Sequence, residues 1–421
     1  MSEQVPSVFS AALARGLVSR RTVLGGIAGL TATASLAACG SPGRNPAPAG
    51  SAGTGTGTGS GSGSTSATTA GHAAKDRSDT EKVVNWSNWP EYIDVDDKTQ
   101  KRPSLLAFTK RTGIKVSYTE DYNDNDEFYA KVRPLLQAGK DTGRDVWVST
   151  DWLVARLIRL GYVQAFDLAN IPNHHNVEDS LLDVEFDKGR RYSLPWQSGF
   201  TGIAWNPKAT GGVKVESVDQ LLTDRRLKGK VTLLTEMRDT VGLVMCELGK
   251  DPDSFTDADF TAAVAEIQKA KDAGQLKGFT GNDYTKPLAS GDTAACMAWT
   301  GDVVQLKADN PSLGYALPQK GFMLWSDNFV IPNMAQHKKN AERLINYYYD
   351  PKVMADVADY VNYVTPVKGV KAVLAARDPA VARNPLIFPS AQVLARSKGF
   401  RGLSPAEETK YNRQFQAVVA G

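Results

Sequence analysis

Carboxylates and large aromatic rings recur together in this sequence, each time at the end of a short apolar run. Trp89, Glu91 and Tyr92 follow "VVNW", Ser149, Asp151 and Trp152 close or follow "DVWV", and Glu236 and Asp239 follow "VTLLT". Trp299 ends "CMAW", and Trp325 and Asp327 stand in "LWSDNF". The set is acidic and aromatic with almost no base. Ring faces attract cations by about 0.5–2 kcal/mol each. Carboxylates bind ammonium groups through charge-assisted hydrogen bonds worth about 1.5–3 kcal/mol each. Carboxylates that converge unpaired in a dry cleft are costly, so the chemistry that resolves them is a cation. Amines joined by methylenes, lying between rings, satisfy both halves of the set.

Taken singly, each residue also has a plain structural explanation. Trp86 shares strand parity with Val84 and reads as core. Glu236 and Asp239, three apart before an apolar helix, suit a helix N-terminus through its dipole. Asp327 could cap a turn, and the Tyr347–Tyr348–Tyr349 run reads as packing on a helix. The functional reading therefore rests on the coincidence of several strand ends.

The elements that must position these residues alternate. "KVVNWSNW", "IKVSYTE" and "DVWVST" read as strands, separated by helices that stop at Gly113, Gly139 and Gly161. "RRYSLPWQSGFTGIAWN" interrupts the rhythm as an aromatic, hairpin-like stretch. A second set follows: the strand "KVTLLT", the helices "DTVGLVMCELG" and "DFTAAVAEIQKAKDAG", and the strands "AACMAWT" and "SDNFVIP", with the helix "NAERLINYYYD" after them. This order predicts an α/β fold of two lobes, each a mixed, mostly parallel sheet flanked by helices, joined by two crossings. In open α/β sheets a ligand lies off the carboxyl ends of the strands, here between the lobes.

The rest of the chain narrows the function classes. A net charge of +3 over 421 residues is close to neutral and gives no argument for nucleic acid. "SRRTVLGGIAGLTATASLAAC" has the order of an export signal, with Arg20 and Arg21 indicating the Tat route. Its "LAAC" resembles a lipoprotein cleavage box, which makes Cys39 the lipidated first residue of the mature protein. Residues 40–80, rich in Gly, Ser and Thr, read as a flexible tether reaching about 30–40 Å. Residues 1–39 are then leader, 81–199 with 325–372 one lobe, and 200–324 with 373–421 the other. Cys246 and Cys296 read as buried free thiols. The sequence carries no zinc spacing, no GxSxG elbow and no phosphate loop; no metal, cofactor or enzymatic activity is expected.

With these residues in place, the chain resembles the polyamine-binding proteins of bacterial spermidine/putrescine ABC importers. "NWPEYI", "FTKRTGIKVSY", "YSLPW", "GIAWN", "KGKVTLLTEMRD", "MAWTGD", "LWSDNFVIP" and "NYVTPV" match that family in order over roughly 83–375. The resemblance implies a type II periplasmic-binding fold that closes on its ligand, a monomer that delivers a polyamine to a permease, with hinges near Gly199 and Trp325. It implies an aromatic box of Trp89, Tyr92, Trp299, Trp325 and Tyr363. Glu91, Glu236, Asp239 and Asp327 would hold ammonium groups, with help from Ser149 and from Gln414 on the last helix. Pro90 replaces a hydroxyl or small polar residue, and Asp151 stands where an aromatic is common. Two other readings stay open: the same fold binding a sugar or amino-acid derivative, and a secreted glycosidase built on a carboxylate pair.

Overall fold

The apolar runs of the first half become β1 (Val83–Asn88), β2 (Lys115–Glu120) and β3 (Val146–Thr150), with α1 (Pro103–Thr112), α2 (Asn125–Gln137) and α3 (Asp151–Arg159) following them in turn. This computed structural model describes residues 73–421; the leader, Cys39 and the tether as far as residue 72 lie outside the described residues. The ends expected at Gly113, Gly139 and Gly161 fall within two residues of those observed.

The main elements of the second half are β4 (Leu194–Trp205), β5 (Val231–Leu234), α4 (Met237–Glu247), α5 (Asp257–Asp272), β6 (Leu276–Thr280), β7 (Ala295–Trp299), α6 (Thr300–Asp309) and β8 (Phe322–Val330). They are followed by α7 (Lys338–Tyr348), α8 (Pro351–Val361) and α9 (Pro405–Ala420). The stretch expected to form a hairpin is instead one strand, β4, of 12 residues, every one buried. Pro195 and Gly199 look like turn residues only when the strand is assumed to be short. A strand that runs through two lobes has no solvent face and so shows no polar alternation.

One sheet passes through the whole body in the order β2-β1-β3-β8-β4-β7-β5-β6. At one end β1 pairs parallel with β2 and β3; at the other β5 pairs parallel with β6 and β7. Between them β4 and β8 run antiparallel to each other and to their outer neighbours. These are the two crossings, and the two parallel wings are the two lobes. The β8/β4 register shifts between Asp327 and Asn328, and such irregularities re-aim side chains near functional sites.

The start of the body differs from expectation. Ser78, assigned to the tether, is 1% exposed. Its Oγ accepts from the Asn340 amide at 3.0 Å, and Asp76 accepts from the Lys339 amide at 3.0 Å. Both satisfy N–H groups that the first turn of α7 leaves without helical partners, which docks a segment whose composition alone reads as linker. Among the described residues, no helix is long and apolar enough to cross a membrane. Trp86 is core, edge-on to Tyr118 and Trp196. Cys246 and Cys296 are buried and unpaired.

Candidate ligand-binding cleft

The strand ends of both lobes enclose a cavity of about 740 Å³, in the usual range for small-molecule sites (roughly 300–1,000 Å³). Its aromatic wall is continuous. The Trp89 ring meets Trp299 edge-on at 5.9 Å, Trp299 meets Trp325 at 6.4 Å, Trp325 meets Tyr363 at 5.4 Å, and Tyr363 meets Tyr92 at 5.2 Å. Trp89 and Trp299 end parallel strands of opposite lobes, whereas Trp325 lies on the β8 crossing. Two glycines make room. A Cβ at Gly199 would stand 2.5 Å from the Trp325 ring, and one at Gly301 would stand 2.3 Å from the Tyr363 ring.

Four aspartates face this box. Asp327 accepts from Tyr92 Oη at 2.9 Å and from Thr150 Oγ1 at 2.7 Å. Asp239 accepts from Trp299 Nε1 at 3.0 Å and from Thr201 Oγ1 at 2.7 Å. Asp302 accepts from Tyr363 Oη, Tyr284 Oη and Asn282 Nδ2 at 2.7–2.8 Å. Asp151 accepts from Asn328 Nδ2 at 2.6 Å. Every one of these donors is neutral, and among the described residues none of the four makes an ion pair. Burial outweighs the hydrogen bonds and pushes Asp151, Asp239 and Asp302 up to about 6 and Asp327 up to about 7.

Glu236 has a different place. It lines the cavity, but its Oε1 accepts from the Asn125 backbone and side-chain amides at 2.8 and 2.7 Å, across from the other lobe. Thr235 beside it donates to Asp124 Oδ2 at 2.9 Å. Glu236 therefore fastens one lobe to the other. Burial, and Asp124 next to it, hold its carboxyl well above the usual range.

Three expected site residues stand elsewhere. Glu91 takes a left-handed backbone, φ 55°, and its carboxylate accepts from Tyr360 Oη at 2.5 Å, outside the cavity wall. Ser149 is fully buried behind the wall and hydrogen-bonds Tyr122 at 2.8 Å, whose ring lies 4.8 Å from Trp89. It does not line the cavity. Gln414 does not line the cavity; α9 instead presents Glu408, six residues earlier. Six helical residues span about 9 Å and turn through about 240°, so the two cannot share a site.

The expectation of almost no base also fails. Arg159, Arg238 and Arg401 line one end of the cavity. Arg156 and Arg159 from α3 and Arg238 from α4 all converge on Glu408, at 3.1, 2.9 and 3.3 Å. Arg238 stacks 4.1 Å from the Trp152 ring, which Arg156 also approaches at 4.8 Å. Burial lowers Arg238 to about 10. The sequence reading missed Asp302, although the same strand-end rule that selected Trp299 extends to it, in the first turn of α6. Glu408 was not legible, because it is 170 residues from Arg238.

Comparison with known proteins decides the family. The sequence profile described as bacterial extracellular solute-binding protein matches residues 105–389 of this chain. The chain belongs to that family. Among similar proteins, the spermidine/putrescine-binding periplasmic protein of Salmonella typhimurium is 28% identical over 356 residues, covering 84% of this chain and 96% of its own. The putrescine-binding periplasmic protein PotF of Escherichia coli is 27% identical over 358 residues, covering 81% and 92%. A spermidine/putrescine ABC transporter structure from Listeria monocytogenes superposes with a TM-score of 0.70 at 24% identity, covering 80% of this chain and 99% of its own. The A. tumefaciens binding protein MotA, solved with glucopine, superposes at 0.63 with 16% identity, covering 81% and 99%. This solute-binding protein thus shares its two-lobe fold with receptors of differing ligands, and its own ligand has to be argued from the wall of its cleft.

Proposed function

We propose that this solute-binding protein captures a polyamine between its lobes and delivers it to the permease of an ABC importer, without chemistry of its own. The observation that carries the reading is the set of four aspartates, three buried and Asp151 partly so, that are hydrogen-bonded only by neutral donors and stand around five aromatic rings. Ionised carboxylates in so dry a site need cations, and flexible methylene chains fit between ring faces. The names of the similar proteins from Salmonella and E. coli support the same ligand class. In this reading the lobes close by bending of the two crossings near Gly199 and Trp325. The leader directs export through the Tat route, and a lipid on Cys39 holds a monomer at the outer face of the cytoplasmic membrane.

Calorimetric titration with putrescine, spermidine and spermine is expected to show binding that weakens with salt. Absence of heat with all three rejects the ligand class. Cys39→Ser is expected to release the protein from the membrane fraction; retention there removes the anchor from the reading.

A second reading has one observation in its favour. Arg159 and Arg238 at the far end of the cavity suit a carboxylate, as in an amino-acid derivative carrying both charges. Mass spectrometry of the small molecule that co-purifies distinguishes the two: a ligand containing a carboxyl group favours the second.

A further inference from the structure

We infer that Asp151 and Asp327 form one two-carboxylate pocket for a terminal ammonium, and that this pocket makes the cleft select linear amines with three or more positive nitrogens over diamines. The inference rests on the polyamine reading and narrows it.

The geometry is a crossed pair. Thr150 lies opposite Asp327 in the β3/β8 register, and its hydroxyl donates to Asp327 Oδ1 at 2.7 Å. Its neighbour Asp151 receives the Asn328 amide at 2.6 Å, and Asn328 is the neighbour of Asp327. The orientation of that amide is set from behind: Asn328 Oδ1 accepts from Arg190 Nη1 at 2.8 Å, so its N–H groups must face Asp151. Arg190 is itself held by Leu181 O and Ser193 Oγ and is 2% exposed; it makes no ion pair with Asp151, and its charge offsets that of Asp151 only in part, from behind Asn328. Two carboxylates held by adjacent residues of paired strands thus line one cavity, near enough for Asp151 to act on Asp327 through its charge, each with acceptor capacity left and no ion pair. An –NH3⁺ group has three donors and can bond to both carboxylates with one to spare, whereas a secondary ammonium has only two, diverging to either side of the chain; the pocket therefore suits a chain end and leaves further nitrogens for the other carboxylates.

Asp239 and Asp302 face the same cavity from the other lobe. A diamine therefore leaves more carboxylates uncompensated in a dry site than a triamine or tetraamine does. Asp151 is also the first residue of α3, where a carboxylate suits the helix dipole. That role alone predicts lower stability on substitution with no change in ligand ranking.

The test is calorimetry on the purified protein at pH 8 and low salt, comparing putrescine, spermidine and spermine for the wild type and Asp151→Asn. The wild type is expected to bind spermidine and spermine about tenfold or more tighter than putrescine. Asp151→Asn is expected to weaken both by about tenfold and putrescine by a clearly smaller factor, which compresses the ranking. Asp151→Ser gives the same comparison if the first variant does not fold, as judged by its melting transition. A wild type that prefers putrescine, or a variant that shifts all three amines equally or none, overturns the inference while leaving the polyamine reading standing. A wild type that binds no amine removes both.

Discussion

Glu408 and Asp239 line the same cavity, carry the same charge and are similarly shielded, yet they do opposite work. Glu408 is met by three guanidiniums from two lobes; Asp239 is met by an indole and a hydroxyl. A buried carboxylate with its cations supplied by the chain is finished, and it acts as a clasp. A buried carboxylate with only neutral donors holds its position while its charge remains to be matched, which is the condition of a binding group. The two ends of the cleft therefore differ in where the compensating charge comes from, not in how acidic they are.

The largest effect that can break this contrast comes from removing the unmatched charges. Asp239→Asn with Asp327→Asn is expected to weaken polyamine binding by at least about a hundredfold, from two lost charge-assisted contacts of about 1.5–3 kcal/mol each. The melting temperature of the unliganded variant should stay level or rise, because two costly buried charges are gone. Binding that survives the double change would mean that the aromatic wall alone recognises the ligand.

At the other end, Glu408→Gln leaves three guanidiniums facing one another with only Asp126, 3.5 Å from Arg156, to offset them. A loss of about 2–3 kcal/mol in stability is expected from breaking a mostly buried cluster, read by chemical denaturation. Affinity should fall by a similar factor for every bound amine, because closure and not recognition is weakened. A loss confined to one amine would place Glu408 among the recognition groups.

Protonation sharpens the same contrast more gently. With three aspartates raised to about 6 and Asp327 to about 7, the unliganded folded state holds more protons than the unfolded state between about pH 4 and 7. Their stabilising contribution is therefore full below about pH 4 and is lost as pH rises through the folded values. Amine binding needs the ionised forms, so affinity should drop as pH falls from 7 to 5, with proton release on binding in that window. Melting curves with and without spermidine should thus shift in opposite directions with pH. The smallest expected effect is at Glu91→Gln: less than about threefold on binding, since its carboxylate is turned to Tyr360 outside the cavity.

Much of the fold was legible in the sequence because strand–helix alternation with glycine stops is a local signal. β4 was misread as a hairpin because a strand buried on both faces has no periodicity to distinguish it. The lining of the cavity was legible where the rule of strand ends applied, as at Trp89, Asp151, Asp239 and Trp299, and at Asp327 through its place on the returning crossing β8. It failed at Glu91, where one left-handed residue turns the side chain away from its neighbours Trp89 and Tyr92. It failed also at Gln414, where a helical phase displaced by six residues presents Glu408 instead.

By itself, the order of residues determined the two-lobe α/β plan and the acidic, aromatic character of its strand ends, since both follow from short-range patterning. Only the tertiary structure decided which carboxylates the protein satisfies internally. That depends on Asn125 reaching Glu236 and on three arginines reaching Glu408, contacts between segments more than a hundred residues apart, which no local period encodes.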